Sequence, residues 1–107
     1  MKGYRFMRML VFFDLPVQSA KDRKEYRRFR KYLISSGFLM MQESVYVKLA
    51  LNYSIVSRMK SNLEKNKPRK CLVQVLVITE KQYAKMDTIV GKVGSDTVDS
   101  DNRLIVL

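Results

Sequence analysis

The stretch "LVFFDLP", residues 10–16, sets a run of apolar side chains against one carboxylate, Asp14, and a proline. The apolar part does not alternate with polar residues, and an unbroken run of this kind belongs to a strand covered on both faces. Residues 6–13, "FMRMLVFF", therefore read as a central strand. Pro16 lacks an amide donor and biases its neighbour away from helical backbone, so the strand stops near Asp14. Asp14 then has two readings: a reactive carboxylate at a strand end, or the polar residue that opens a turn.

Ser19 suits an N-cap, and Gly37 suits the left-handed end of a helix that reaches about Ser36. At about 100° per residue, Tyr26, Phe29 and Leu33 fall on one side. Lys21, Lys24, Arg27, Arg28 and Lys31 gather on the opposite side, with Arg23 and Arg30 at the border. "FLMM" and "SVYVKL" flank Gln42 and Glu43 and read as a hairpin over residues 38–49. Asn52 can cap a second helix with Ile55, Val56, Met59 and Leu63 on one side, ending near Lys65. "CLVQVLVI", residues 71–78, is a second strand apolar on nearly both faces, and reads as another central one.

The order β-α-β-β-α-β is the α+β, ferredoxin-like arrangement: a four-stranded antiparallel sheet with both helices on one face. Two strands apolar on both sides leave the other face of that sheet in need of a cover. After the fourth strand come one helical turn, "TEKQYAKM", a short strand, "DTIVGKV", a Ser/Asp-rich loop over residues 94–102 and a final strand, "RLIVL". The expectation is a ferredoxin-like core over residues 1–90, with a C-terminal extension over 91–107 whose extra strand packs on a partner protomer. The sheets of that homodimer pack face to face.

A chain of 107 residues is one domain. With a single cysteine, Cys71, and no histidine, a disulfide framework within the chain, a zinc site and a Ser-His or Cys-His nucleophile system are set aside. No apolar stretch reaches membrane-spanning length, and the start "MKGYRFMRMLVFFDLP" has basic residues inside its apolar part and no small-residue cleavage site. A cytoplasmic protein with no membrane partner is expected.

The net charge is +11, and it is localised: residues 1–70 carry 17 Lys/Arg against 5 Asp/Glu, and residues 71–107 carry 4 against 5. Such a distribution is the footprint of a polyanion binder, because Lys and Arg displace counterions from a phosphate backbone. Seven basic residues, Lys21, Arg23, Lys24, Arg27, Arg28, Arg30 and Lys31, are the candidate nucleic-acid contacts. Contacts of that sort position a duplex without reading its bases. A solvated helix face is the competing account. Lys65, Lys67, Arg69 and Lys70 form a second cluster, read as an exposed loop kept soluble. Phe12 and Tyr46 sit on neighbouring strands, where base stacking competes with core packing, and packing is preferred because no RNA-recognition signature surrounds Tyr46. Cys71 reads as a small hydrophobe.

Carboxylates are the only metal ligands available. One carboxylate is a poor magnesium site, since the ion wants an octahedron of oxygens. Two copies of Asp14 across a two-fold axis change that, giving one composite site whose Mg2+ polarises a phosphodiester and activates water.

Together, "VFFDLP", the basic helix "RKEYRRFRKYLISSGF" and "MQESVYVKL" closely resemble the CRISPR-associated protein two family, Cas-two, over residues 5–90. The resemblance implies a ferredoxin-like homodimer with Asp14 at the dimer interface as a Mg2+ ligand and catalytic residue of a metal-dependent endonuclease. It also implies an architectural role in spacer acquisition, in which one dimer bridges two dimers of the Cas-one integrase, as a heterohexamer, and holds double-stranded DNA. Scaffold and nuclease are separable expectations, and RNA stands beside DNA as a substrate. Two alternatives are a monomeric RNA-recognition-like module that binds single-stranded RNA, and a toxin-like ribonuclease without an integrase.

Overall fold

Alternation along the first strand sorts its residues onto two unlike surfaces. In the computed structural model, which describes residues 6–91, β1 (Met7–Asp14) turns Met9, Val11 and Phe13 toward the helices. Arg8, Leu10, Phe12 and Asp14 point the other way. β1 pairs antiparallel with β3 (Val45–Ala50) on one side and β4 (Leu72–Thr79) on the other. β2 (Leu39–Gln42) pairs with β3, so the sheet order is β2-β3-β1-β4. The ferredoxin-like arrangement expected from the sequence is the one observed, with α1 (Ala20–Ser35) and α2 (Tyr53–Asn66) after the first and third strands.

Both helices begin where a side-chain oxygen can satisfy an orphan amide. Ser19 accepts from the Asp22 amide while Asp22 accepts from the Ser19 amide, a reciprocal capping box at the start of α1. Asn52 accepts from the Ile55 amide at the start of α2. Phe29 and Leu33 of α1 and Val56, Met59 and Leu63 of α2 pack with Met9, Val11, Phe13 and Tyr46 in one core. Each such side chain contributes about 1.5–3 kcal/mol by leaving water. Phe13 is its aromatic centre, edge-on to Phe29 at 5.2 Å and stacked on Tyr46 at 5.7 Å.

α1 ends in a Schellman turn. The Phe38 amide donates to the Leu33 carbonyl and the Gly37 amide to the Ile34 carbonyl, with Phe38 and Leu33 both buried. Gly37 has φ +97°, and a Cβ there would also lie 3.2 Å from Lys48 Cε. Gly37→Ala is expected to destabilise the fold by about 1–2 kcal/mol, read as a lower denaturant midpoint at unchanged m-value.

Three expectations change. β4 is not central: among the described residues it pairs only with β1, at the sheet edge. Its apolar character on both faces reflects two half-covered faces rather than two flanking strands, and Leu72 and Leu76 remain 58% and 51% exposed. The short strand over residues 87–93 is also not formed within the described residues. There Thr88 makes an isolated bridge and Gly91, at φ +119°, departs from extended backbone. The hairpin turn lies at Glu43 and Ser44 rather than Gln42 and Glu43, because an irregularity between Met40 and Gln42 takes up one residue of β2. The helical turn after β4 is α3 (Glu80–Ala84). The loop over 94–102 and the final strand "RLIVL" lie outside the described residues.

Candidate functional site

Asp14 closes β1 opposite Leu72 and is exposed. Because Phe13 faces the helices, Asp14 shares the opposite face with Phe12, and both line a shallow 230 Å3 cavity with Leu72, Gln74 and Ser44. Its carboxylate has no hydrogen bond or ion pair among the described residues. The turn-cap reading requires an acceptor role toward the loop backbone, and that role is absent. Burial and then the Asp14 charge push the Cys71 thiol up from its ordinary value, as suits a small hydrophobe packed at the edge of the core.

Asp14 lies at the end of an apolar surface. Register places Leu10, Phe12, Val45, Val47, Leu49, Leu72 and Leu76 on the same face, away from the helices. Leu39 joins them from β2. Leu10 and Val47, in the middle of this face, are buried, whereas Leu39, Leu49, Leu72 and Leu76 around them are 67%, 41%, 58% and 51% exposed. Large apolar residues left in water at both edges of one sheet face are the kind of feature that marks an interaction surface.

No three carboxylates or thiols come together among the described residues. A magnesium ion suits hard oxygen donors, and Asp14, Ser44 and Gln74 supply oxygens of that kind at one cavity. Only Asp14 among them is charged, so the chain by itself offers one of the one or two carboxylates such an ion commonly takes.

The seven basic residues of α1 divide into two groups. Arg23 donates to the Val17 and Gln18 carbonyls and secures the β1–α1 loop. Arg30 donates to the Tyr46 hydroxyl, which is wholly buried. Arg28 pairs with Glu25 at 3.1 Å and reaches the Asn66 carbonyl at 3.4 Å. Lys21, Lys24, Arg27 and Lys31 are exposed and have no such partner among the described residues, so their charges are available to a ligand. Arg27 lines a cleft of about 490 Å3 with Arg23, Tyr26 and Glu43, one residue along the chain from Asp14 at Leu15. The Tyr26 hydroxyl donates to the Glu43 carbonyl across that cleft, and burial pushes its pKa up.

Sequence reasoning missed a third constellation. Arg8, on the apolar face, makes two hydrogen bonds to Glu80, at 2.6 and 3.1 Å, and its guanidinium lies 4.5 Å over the Tyr83 ring. The Arg8 hydrogen bond holds the Glu80 carboxyl below its ordinary range. One signal was present: a lone charge in an apolar strand needs a partner.

The match of the whole strand-helix-hairpin frame to known proteins is direct. The family model of CRISPR associated protein Cas2 fits residues 7–86. This chain belongs to the Cas2 family. A CRISPR-associated endoribonuclease Cas2 from Treponema denticola is 52% identical over 101 residues, covering 94% of this chain and all of the relative. Those of Streptococcus mutans and Flavobacterium psychrophilum are 46% and 34% identical, each over 94% of this chain and 93% and 88% of the relative. Within the Cas2 family frame, Asp14 is the strand-end carboxylate at the rim of the apolar sheet face. No helix among the described residues is long and apolar enough to cross a membrane.

Phe12 and Tyr46 do not form a base-stacking pair. Val11 is the register partner of Tyr46, so Phe12 points to the opposite face, and Tyr46 is fully buried beneath α1. The preferred reading of both residues as packing groups therefore holds for Tyr46, and the pair gives RNA no shared stacking platform.

Proposed function

We propose that this Cas2-family chain acts in CRISPR adaptation as a homodimer that holds double-stranded DNA and bridges two Cas-one integrase dimers. We assign it in addition a magnesium-dependent phosphodiesterase activity centred on Asp14. The observation that carries the reading is that Asp14 stands at the rim of an apolar sheet face on which Leu39, Leu49, Leu72 and Leu76 remain exposed. A second copy seated on that face removes Leu39, Leu72 and Leu76 from water and brings a second Asp14 toward the first across the two-fold axis. Two carboxylates then hold one Mg2+, which supplies polarisation of a phosphoryl oxygen and activation of water.

The chain's own residues have simpler tasks. Lys21, Lys24, Arg27 and Lys31 hold phosphates by charge, and Arg23 keeps the loop after Asp14 in place. In hydrolysis a water oxygen forms the new bond to phosphorus, the ester P–O bond breaks, and the departing oxygen takes up a proton. A second reading, hydrolysis of RNA without an integrase, is favoured by the relatives' name, CRISPR-associated endoribonuclease.

Replacing Leu72 and Leu76 by Lys tests the assembly. The double variant is expected to sediment as a monomer and to lose magnesium-dependent hydrolysis in the same step, because both depend on the covered face. A variant that sediments as a dimer overturns this use of the face.

A further inference from the structure

The second basic cluster, at the end of α2 and in the α2–β4 connection, lies beside the basic surface of α1. Arg28 of α1 donates to the Asn66 carbonyl at the last residue of α2, so the α2–β4 connection starts against the middle of the basic helix. Lys65, Arg69 and Lys70 are exposed and unpaired among the described residues, whereas Lys67 is held by Glu64 at 2.9 Å. Lys21, Lys24, Arg28 and Lys31 follow one another at three- and four-residue spacing along α1, a stripe of about 15 Å. We infer that this stripe and the 65–70 cluster form one continuous phosphate-binding surface, with Lys65, Arg69 and Lys70 as a second arm that contacts the backbone of the same duplex.

Glu25 is the junction between the two arms. Its carboxyl is held below the ordinary range first by its hydrogen bond from Arg28, against the opposing effect of burial, and then by the charges of Arg28, Arg69 and Lys24. Residues from both arms therefore act on one carboxylate. Apart from the Asp22 capping box, it is the only acid of α1. The second arm leaves the stripe near its middle, so it widens the surface rather than lengthening it. A wider surface meets phosphates of both strands, whereas the stripe alone covers less than half of a ~34 Å helical turn.

The composition favours a nucleic-acid backbone over an acidic protein. Protein interfaces are built around an apolar or aromatic centre. No large hydrophobic residue is exposed between residues 18 and 33 or between residues 54 and 71, where both arms lie.

The inference rests on the nucleic-acid reading proposed above, and the test separates the two. Binding of the full chain to a DNA duplex of mixed sequence is measured by fluorescence anisotropy across a salt series. Each phosphate contact contributes about 0.9 to the slope of log K against log salt. Replacing Lys65, Arg69 and Lys70 together by Gln is expected to flatten that slope by about 2.7. E25Q, which removes the junction carboxylate and releases Arg28, is expected to tighten binding several-fold. A slope equal to that of the unaltered chain, in a protein whose α1 variants do flatten it, overturns the second arm and leaves the cluster to an acidic protein. Unchanged affinity in E25Q keeps the duplex away from the junction and also overturns it. An unaltered chain with no salt-dependent binding overturns the nucleic-acid reading itself, and the second arm with it.

Discussion

Asp14→Asn is expected to abolish magnesium-dependent hydrolysis while leaving the fold and the dimer intact. The carboxylate is exposed and has no protein partner among the described residues, so its replacement by an isosteric amide changes stability by no more than about 0.5 kcal/mol. Loss of a metal ligand removes several kcal/mol of transition-state stabilisation, which lowers the rate by about 1000-fold or more. Hydrolysis with and without magnesium, beside a thermal melt, reads both quantities. Full activity in the Asn variant would sink the Asp14 site. The same variant separates scaffold from nuclease: spacer acquisition that persists without hydrolysis assigns the strand-transfer chemistry to the integrase alone. Acquisition lost with the dimer unchanged would count against a purely architectural role.

Replacing Lys21, Lys24, Arg27 and Lys31 together by Ala should have the largest effect on DNA binding. These are the α1 cations with no internal partner, so each can exchange water for a phosphate without breaking a bond inside the protein. Four lost contacts flatten the salt slope by about 3.6 units, and between about 50 and 200 mM salt that removes about 100-fold of the salt effect. Arg23 and Arg30 behave differently. Their guanidiniums secure the β1–α1 loop and the Tyr46 hydroxyl, so Arg30→Ala is expected to appear chiefly as lost stability rather than as lost binding. A quadruple variant that binds duplex with an unchanged slope would remove α1 from the interface.

The fold was legible because periodicity and punctuation agree. Pro16, the Ser19 cap, Gly37 and Asn52 mark boundaries that the structure places within a residue or two of their sequence positions. β4 was read as central, and among the described residues it is not, because apolar residues on both faces of a strand report cover on its faces. They carry no information about its hydrogen-bonded flanks, which decide whether it lies inside the sheet or at its edge. The charge of α1 was legible as a total but not in its division: Glu25, three residues before Arg28, is a local partner, but the partners of Arg23 and Arg30 and the second contact of Arg28 come from the loop, from β3 and from α2. Composition alone cannot distinguish a guanidinium that braces the protein from one that faces a ligand. For Arg8 the lone charge in an apolar strand signalled a partner but could not name it, because Glu80 lies 72 residues away.

That last contact joins the start of β1 to the helical turn that follows β4. The Glu80 amide donates to the Phe6 carbonyl at 3.1 Å, Arg8 grips the Glu80 carboxylate, and the Tyr83 ring lies beneath the guanidinium. Among the described residues β4 is an edge strand, and such a strand ordinarily frays from its free end, with its amides exchanging through small local openings. Here the last turn after β4 is buckled to the first residues of the interior strand. The start of β1 and the end of β4 thus form one corner, and peeling β4 from that corner must first break the Arg8 grip on Glu80, which leaves its Leu72 end as the one that opens first.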